Sequence, residues 1–201
     1  MARRIHPLFS FLITLILIAV LSLFGPSDQT LGSNVRIVYL HGAWVLTAEL
    51  ILALAGLGGM IALITQRALF YKWSAALGRT GIIFWITYLP LSIWAMQTNW
   101  NGLFLAEPRF RLAVTFAVVG VLLQLGLWFI SLNWLTGAAN LVFIVVLLFE
   151  FSRAQYVMHP PPSPILNSGN WQIIGFFLAL NVITWLAAYF MAVWFVHLIK
   201  E

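Results

Sequence analysis

The sequence predicts an all-α fold, a polytopic membrane helix bundle of six transmembrane helices with both termini cytoplasmic. Three observations lead there. Of 201 residues, 63% are hydrophobic and only 7% charged, against about 25% charged in a water-soluble domain. The apolar residues gather into six stretches, and a membrane-crossing helix needs ~20 such residues at ~1.5 Å each. Lysine and arginine divide unequally between the loops at the two ends, as the positive-inside tendency requires. The whole chain, 1–201, reads as a single transmembrane domain embedded in a lipid bilayer.

The six expected spans run 8–24, 38–65, 81–96, 112–132, 134–151 and 171–196. The first follows the basic Met1-Ala2-Arg3-Arg4. It is long for a signal-peptide core, and Gly25-Pro26 follows it rather than a small-x-small cleavage site, so it reads as a retained span. The second and sixth exceed the bilayer core and must tilt or project. In the second, Gly56, Gly58 and Gly59 allow a neighbouring helix to come close. Between the second and third, residues 66–80 read as a connection carrying Tyr71-Lys72-Trp73, an interfacial anchor of aromatic and basic residues. The fourth and fifth are parted only by the weak turn Asn133-Trp134-Leu135-Thr136-Gly137. Five spans with a re-entrant piece is therefore the alternative.

With the N-terminus inside, six of the ten basic residues (Arg3, Arg4, Arg67, Lys72, Arg79, Lys200) fall at the inner face. The other four, Arg36, Arg109, Arg111 and Arg153, fall at the outer face. The modest bias favours this orientation, in a cell (inner) membrane. The outer arginines run against it, which suggests a task for them.

The chain has no cysteine, which excludes thiol redox chemistry, a cysteine metal site and haem attachment through its own thiols. It shows no phosphate-binding loop, no catalytic carboxylate pair, no metal-binding histidine cluster and no nucleophile triad. An enzyme is not expected. Nor is a nucleic-acid partner, because the basic residues form no stripe.

What stands out is a pair of histidines at the outer face. His41 opens the second span, and His159 begins His159-Pro160-Pro161-Pro162, ahead of the last span. Alone, each reads most simply as an interfacial histidine bonded to a carbonyl or water. Together they offer two neutral imidazoles as axial ligands for the iron of haem b. Trp44, three residues after His41, falls on nearly the same helical face, as an aromatic wall for a flat macrocycle. The prolines after His159 stiffen its loop, or else merely end the fifth span.

The outer loop from Trp94 to Arg111 interleaves Trp100, Leu103 and Phe104 with asparagine and glycine. Alone it reads as an amphipathic segment in the headgroups. Beside two histidines it becomes an apolar shelf, with Arg36, Arg109, Arg111 and Arg153 as candidates to pair with propionates. Two acids lie in or near spans. Glu150 has Arg153 three residues on as a natural partner. Glu49, about 12 Å below His41 by helical rise, has no partner visible in the sequence.

Val35-Arg36-Ile37-Val38-Tyr39-Leu40-His41, followed by Ala43-Trp44, resembles the opening of the second span in the CcmC-type haem-handling proteins of cytochrome c maturation. That family has six spans, two outer histidines and a tryptophan-rich outer loop between spans three and four. Its loop motif reads approximately W-G-x-W-W-x-W-D-x-R. Here Trp100 and Arg109 match, Glu107 replaces the aspartate, and Leu103, Phe104 and Ala106 stand where the family has tryptophans. The resemblance implies a non-enzymatic protein of cytochrome c biogenesis. It would bind haem through His41 and His159 at the outer face and pass it to membrane partners of a maturation system. The alternative is that the fold has become an integral subunit, haem-bearing or purely structural, of a larger respiratory or photosynthetic membrane complex. A small transporter is a weaker third reading, since no inverted repeat or broken helix pair is visible.

Overall fold

Six helices make up the computed structural model of the protein, which describes residues 6–157 and 163–199. They are α1 (Pro7–Leu23), α2 (Val35–Thr65), α3 (Ala68–Asn99), α4 (Pro108–Ile130), α5 (Asn133–Arg153) and α6 (Trp171–Leu198). All but α1 are long and apolar enough to cross a membrane. At 17 residues, α1 reaches about 25 Å, a little short of the ~30 Å hydrocarbon core. The protein is a multi-pass helical membrane protein. Its outward-facing side chains are largely apolar, among them Ile16, Leu122, Phe129 and Val145, as a lipid solvent demands.

The helix ends have local causes. Pro7 and Pro108 occupy first-turn positions, where a missing N–H costs nothing. The His6 and Glu107 side chains accept hydrogen bonds from the Leu8 and Phe110 amides, and Asn170 caps α6 by accepting from Gln172 and Ile173. Gln66 ends α2 in the left-handed region (φ 55°), its N–H donating to the Ala62 carbonyl. Ser131 ends α4 in the same way (φ 54°), donating to Leu127.

Two expected connections are displaced by these caps. Residues 68–80, expected within a loop, are the first turns of α3, so α2 and α3 form a tight helical hairpin around Gln66-Arg67. The anchor Tyr71-Lys72-Trp73 is helical, and Tyr71 donates its hydroxyl to the Gln66 side chain. At 32 residues, α3 spans ~48 Å and projects beyond the bilayer core. The turn between α4 and α5 lies at Ser131-Leu132, and residues 133–137 are already helical. Serine offered less of a turn signal than the Asn and Gly beside it, yet it is the residue that takes the left-handed conformation.

Packing centres on α2 and α3, with α5 against α2 and α1 against α6. Buried side chains such as Leu52, Trp85, Leu147, Phe177 and Leu180 form one core. Between α2 and α5 the backbones nearly touch. A Cβ on Gly59 would run into the Gly137 carbonyl, and one on Gly56 would meet Ile144. Gly58 takes no part in this, since a Cβ there would come no closer than 3.8 Å to anything.

A polar network crosses the core beside that seam. Gln124 of α4 donates to Asn140 of α5 (2.8 Å), and Asn140 donates to the carbonyl and hydroxyl oxygens of Ser74 (2.9 and 3.0 Å). The Ser74 hydroxyl donates on to the Ala55 carbonyl (2.8 Å). Four helices are tied by groups that lipid cannot satisfy. Replacing Asn140 with leucine strands Gln124 and is expected to cost ~1–2 kcal/mol. Denaturant titration in detergent checks this, and an unchanged midpoint would show that the network contributes nothing.

Candidate functional site

All the long connections emerge at one end of the bundle. The segment between α1 and α2 is fixed there by Arg36, whose Nε donates to the Gly25 carbonyl (2.9 Å), and by the Tyr39 hydroxyl, which donates to Pro26 (3.2 Å). Asn34 donates to the Thr98 carbonyl at the end of α3 (3.2 Å). Within the first connection, Asp28 and Gly32 exchange backbone hydrogen bonds (3.1 and 3.0 Å). The Asp28 carboxylate accepts from the Thr30 and Leu31 amides (2.8 and 3.0 Å). Those amides, Leu31 foremost, hold the Asp28 carboxyl below its ordinary value of 3.8. A lowered pKa means stabilisation that is present above that value and lost as pH falls through the lowered one. Amide exchange at Thr30 and Leu31 is therefore expected to lose protection in acid below about pH 3.8, whereas a pH-independent protection factor would refute the cap.

Beneath these connections lies a cavity of about 760 Å³, inside the ~300–1,000 Å³ range of small-molecule sites. Its lining is mostly apolar, including Val45, Met96, Leu148, Ile165 and Phe177. The titratable and cationic groups on it include His41, Glu49 and Tyr88 from α2 and α3, Arg109 and Glu107 at the start of α4, and Asp28 in the first connection, beside neutral polar residues such as Ser92 and Asn99. Spacing on α2 explains part of this. Positions 38, 42, 45 and 49 follow one stripe of the helix, and all four line the cavity.

His41 is half-buried in the wall. Its ring lies 5.7 Å from that of Tyr88. Tyr88 meets Trp85 edge-on at 5.1 Å, and the Trp85 indole donates to the Ala113 carbonyl of α4 (3.0 Å). Trp85 in turn packs edge-on against Phe151 at 5.6 Å. The imidazole thus leans on an aromatic column of α3 and α5 that the Trp85 indole ties to α4.

Of the ten residues expected at the site, the structure brings three to this cavity: His41, Trp100 and Arg109. Trp44 turns away. Its indole stacks on Phe84 at 4.9 Å and donates to the Thr87 hydroxyl (2.8 Å), filling the α2–α3 interface. Arg36 braces the first connection rather than lining the cavity. Arg153 lies 5.2 Å over the Phe149 ring of its own helix, not in the lining. Arg111 is exposed on α4. Leu103 and Phe104 are exposed, at 49% and 44%, on the outside of the loop. Phe104 touches Trp100 edge-on at 6.4 Å. His159 lies outside the described residues, while Ser163, Pro164 and Ile165 of the same connection line the cavity.

Tyr88, Met96 and Phe177 were missed in the sequence because each sits in an ordinary apolar run. Their convergence with His41 needs α2, α3 and α6 to be placed. Glu49 was noticed there without a partner, and the structure places it in the lining of the same cavity as Arg109. No cluster of three or more histidine, cysteine or acidic side chains suited to a metal ion occurs among the described residues.

Comparison with known protein families, with curated proteins and with solved structures finds no match.

Proposed function

We propose that the chain is a haem-binding membrane protein of cytochrome c biogenesis, presenting haem at the outer membrane face to a partner. One observation carries this reading. The one cavity-lining imidazole among the described residues, His41, stands in a mostly apolar chamber of suitable volume that also holds a guanidinium and an indole. Such a chamber suits a flat apolar ligand bearing carboxylates. The residues present fit haem b. His41 would ligate the iron, Arg109 would take a carboxylate, and Trp100, Ile165 and Phe177 would wall the macrocycle. His159, outside the described residues, would be a second imidazole to hold the iron. Bound haem supplies an iron centre able to exchange one electron, and in this role it is cargo. The chain's own contribution is to hold the imidazole in place, to exclude water with apolar walls and to neutralise charge at the rim.

A second reading has an observation of its own. Leu103, Phe104 and Leu105 form an exposed apolar tip, each 44–50% accessible, which suits a fixed neighbour in a larger respiratory or photosynthetic membrane complex. The discriminating experiment is an oxidised and a dithionite-reduced absorbance spectrum of the purified protein, followed by incubation with an apocytochrome acceptor. A low-spin haem b spectrum that fades as the acceptor gains haem supports handling. Haem that stays put supports the subunit reading, and no Soret band after expression with ample haem overturns haem binding.

A further inference from the structure

The half of the bundle away from the cavity holds a second recess. Leu54 and Gly58 of α2, Phe70 and Trp73 of α3, and Trp185 and Tyr189 of α6 line a groove of about 520 Å³. Every lining residue is apolar or aromatic. The groove opens on the lipid-facing surface, where Leu54 and Tyr189 stay exposed. Gly58 contributes no side chain to it, and a Cβ there would come no nearer than 3.8 Å to Ser74. This glycine therefore serves no close helix crossing among the described residues, and leaves room for something outside the chain.

The groove's proportions decide between occupants. Its lining follows α2 from Leu50 to Ile61, ~17 Å by helical rise. A volume of about 520 Å³ spread over that length leaves a cross-section of roughly 30 Å², whereas a helix about 10–12 Å across needs roughly 80–110 Å². A helix from a second copy is too thick, but an extended hydrocarbon chain is not. Charge then selects the headgroup. The lining reaches the first turn of α3 at Leu69 and Phe70, and Arg67 is exposed at the N-cap just ahead of them. Among the described residues, this end of the bundle carries Arg67, Lys72 and Arg79 and no carboxylate. Asp28, Glu107 and Glu150 lie at the other end, and Glu49 lines the cavity.

We infer that the groove binds one acyl chain of an anionic phospholipid, from the leaflet at that end, with its phosphate at Arg67. A guanidinium fork matches phosphate oxygens. Lipid tails gain no hydrophobic energy by leaving the bilayer for an apolar groove, so close packing and headgroup charge select the bound lipid. The site is independent of the haem reading.

The test uses the full chain, delipidated in detergent and titrated with phosphatidylglycerol or phosphatidylcholine, while native mass spectrometry counts bound lipids. The wild type is expected to take up one phosphatidylglycerol about 5-fold more tightly than phosphatidylcholine, and Arg67→Gln to erase that preference. Gly58→Phe places a ring in the groove and should weaken both lipids about 10-fold. Leu54→Trp fills the groove from its exposed side, where folding is little disturbed, and should do the same. Gly58→Ala should leave both affinities unchanged, since its methyl meets nothing closer than 3.8 Å. Equal binding of the two lipids by the wild type overturns the headgroup assignment. Lipid binding unaltered by both Gly58→Phe and Leu54→Trp overturns the groove as the site. A dimer that comes apart in those two variants overturns the lipid in favour of a second copy.

Discussion

Replacing His41 with alanine is expected to lower haem affinity by at least about 100-fold, ~2.8 kcal/mol, and to abolish the low-spin reduced spectrum. The size of the effect follows from the cavity's composition. Among the described residues, His41 is the one imidazole in its lining, set among mostly apolar walls. Removing even an outer-shell partner of a metal ligand typically costs 10–100-fold, so losing the ligand itself should cost at least as much. A purely structural role for His41 predicts a different pattern, with lowered stability and no recovery. The variant His41→Gly, supplied with imidazole in the buffer, separates the two, because free imidazole can restore the spectrum only if a nitrogen donor was what was missing. His197, exposed in the last turn of α6 at the opposite end, is the control, and His197→Ala should leave haem content unchanged. Undiminished haem content in His41→Ala would remove the foundation of the proposed function.

Gly59→Ala and Gly58→Ala, at adjacent positions of α2, are expected to shift stability in opposite directions. In an exposed helix interior, alanine is favoured over glycine by ~1 kcal/mol. At Gly58 nothing opposes that gain, since the new methyl would find its nearest neighbour, Ser74, at 3.8 Å. At Gly59 the methyl would collide with the Gly137 carbonyl and its attached backbone atoms, which cannot rotate away. The helices must separate, with an expected net loss of ~1–3 kcal/mol. The loss should spread to the Asn140 network, which sits one turn along the same seam of α5 and bonds to Ser74 across it. Thermal or denaturant unfolding in detergent reads both variants. Equal shifts at the two positions would show that α2 and α5 are not held at backbone contact.

The fold class was legible because lipid imposes a simple rule. In lipid the backbone must satisfy itself within helices or a closed barrel, and continuous apolar stretches of about 20 residues specify helices, so length and hydropathy mark their number. Helix limits were less legible. The α2–α3 turn came thirteen residues shorter than the expected loop over 66–80, because the helix resumes at Ala68 once Gln66 reverses the chain in the left-handed region. Among the glycines, the sequence singled out Gly56, Gly58 and Gly59 without ranking them. Only the position of α5 separates the two that sit at a helix crossing from the one that faces away.

At the site the division is sharper. His41 and Arg109 were identifiable because a histidine at a span end and an arginine on the disfavoured side are costly residues that call for a use. Trp44 looked as suitable as either, yet its indole serves the α2–α3 interface, because Phe84 and Thr87 offer it a stacking face and an acceptor. The sequence by itself determined a membrane bundle, the end at which the polar and aromatic residues gather, and the residue types available there. Which of those residues share a chamber was decided by tertiary structure alone. Helical periodicity says which side chains share a face of one helix, but a cavity is enclosed by faces of several, and their relative rotations are set by packing at distant crossings such as Gly59 on Gly137.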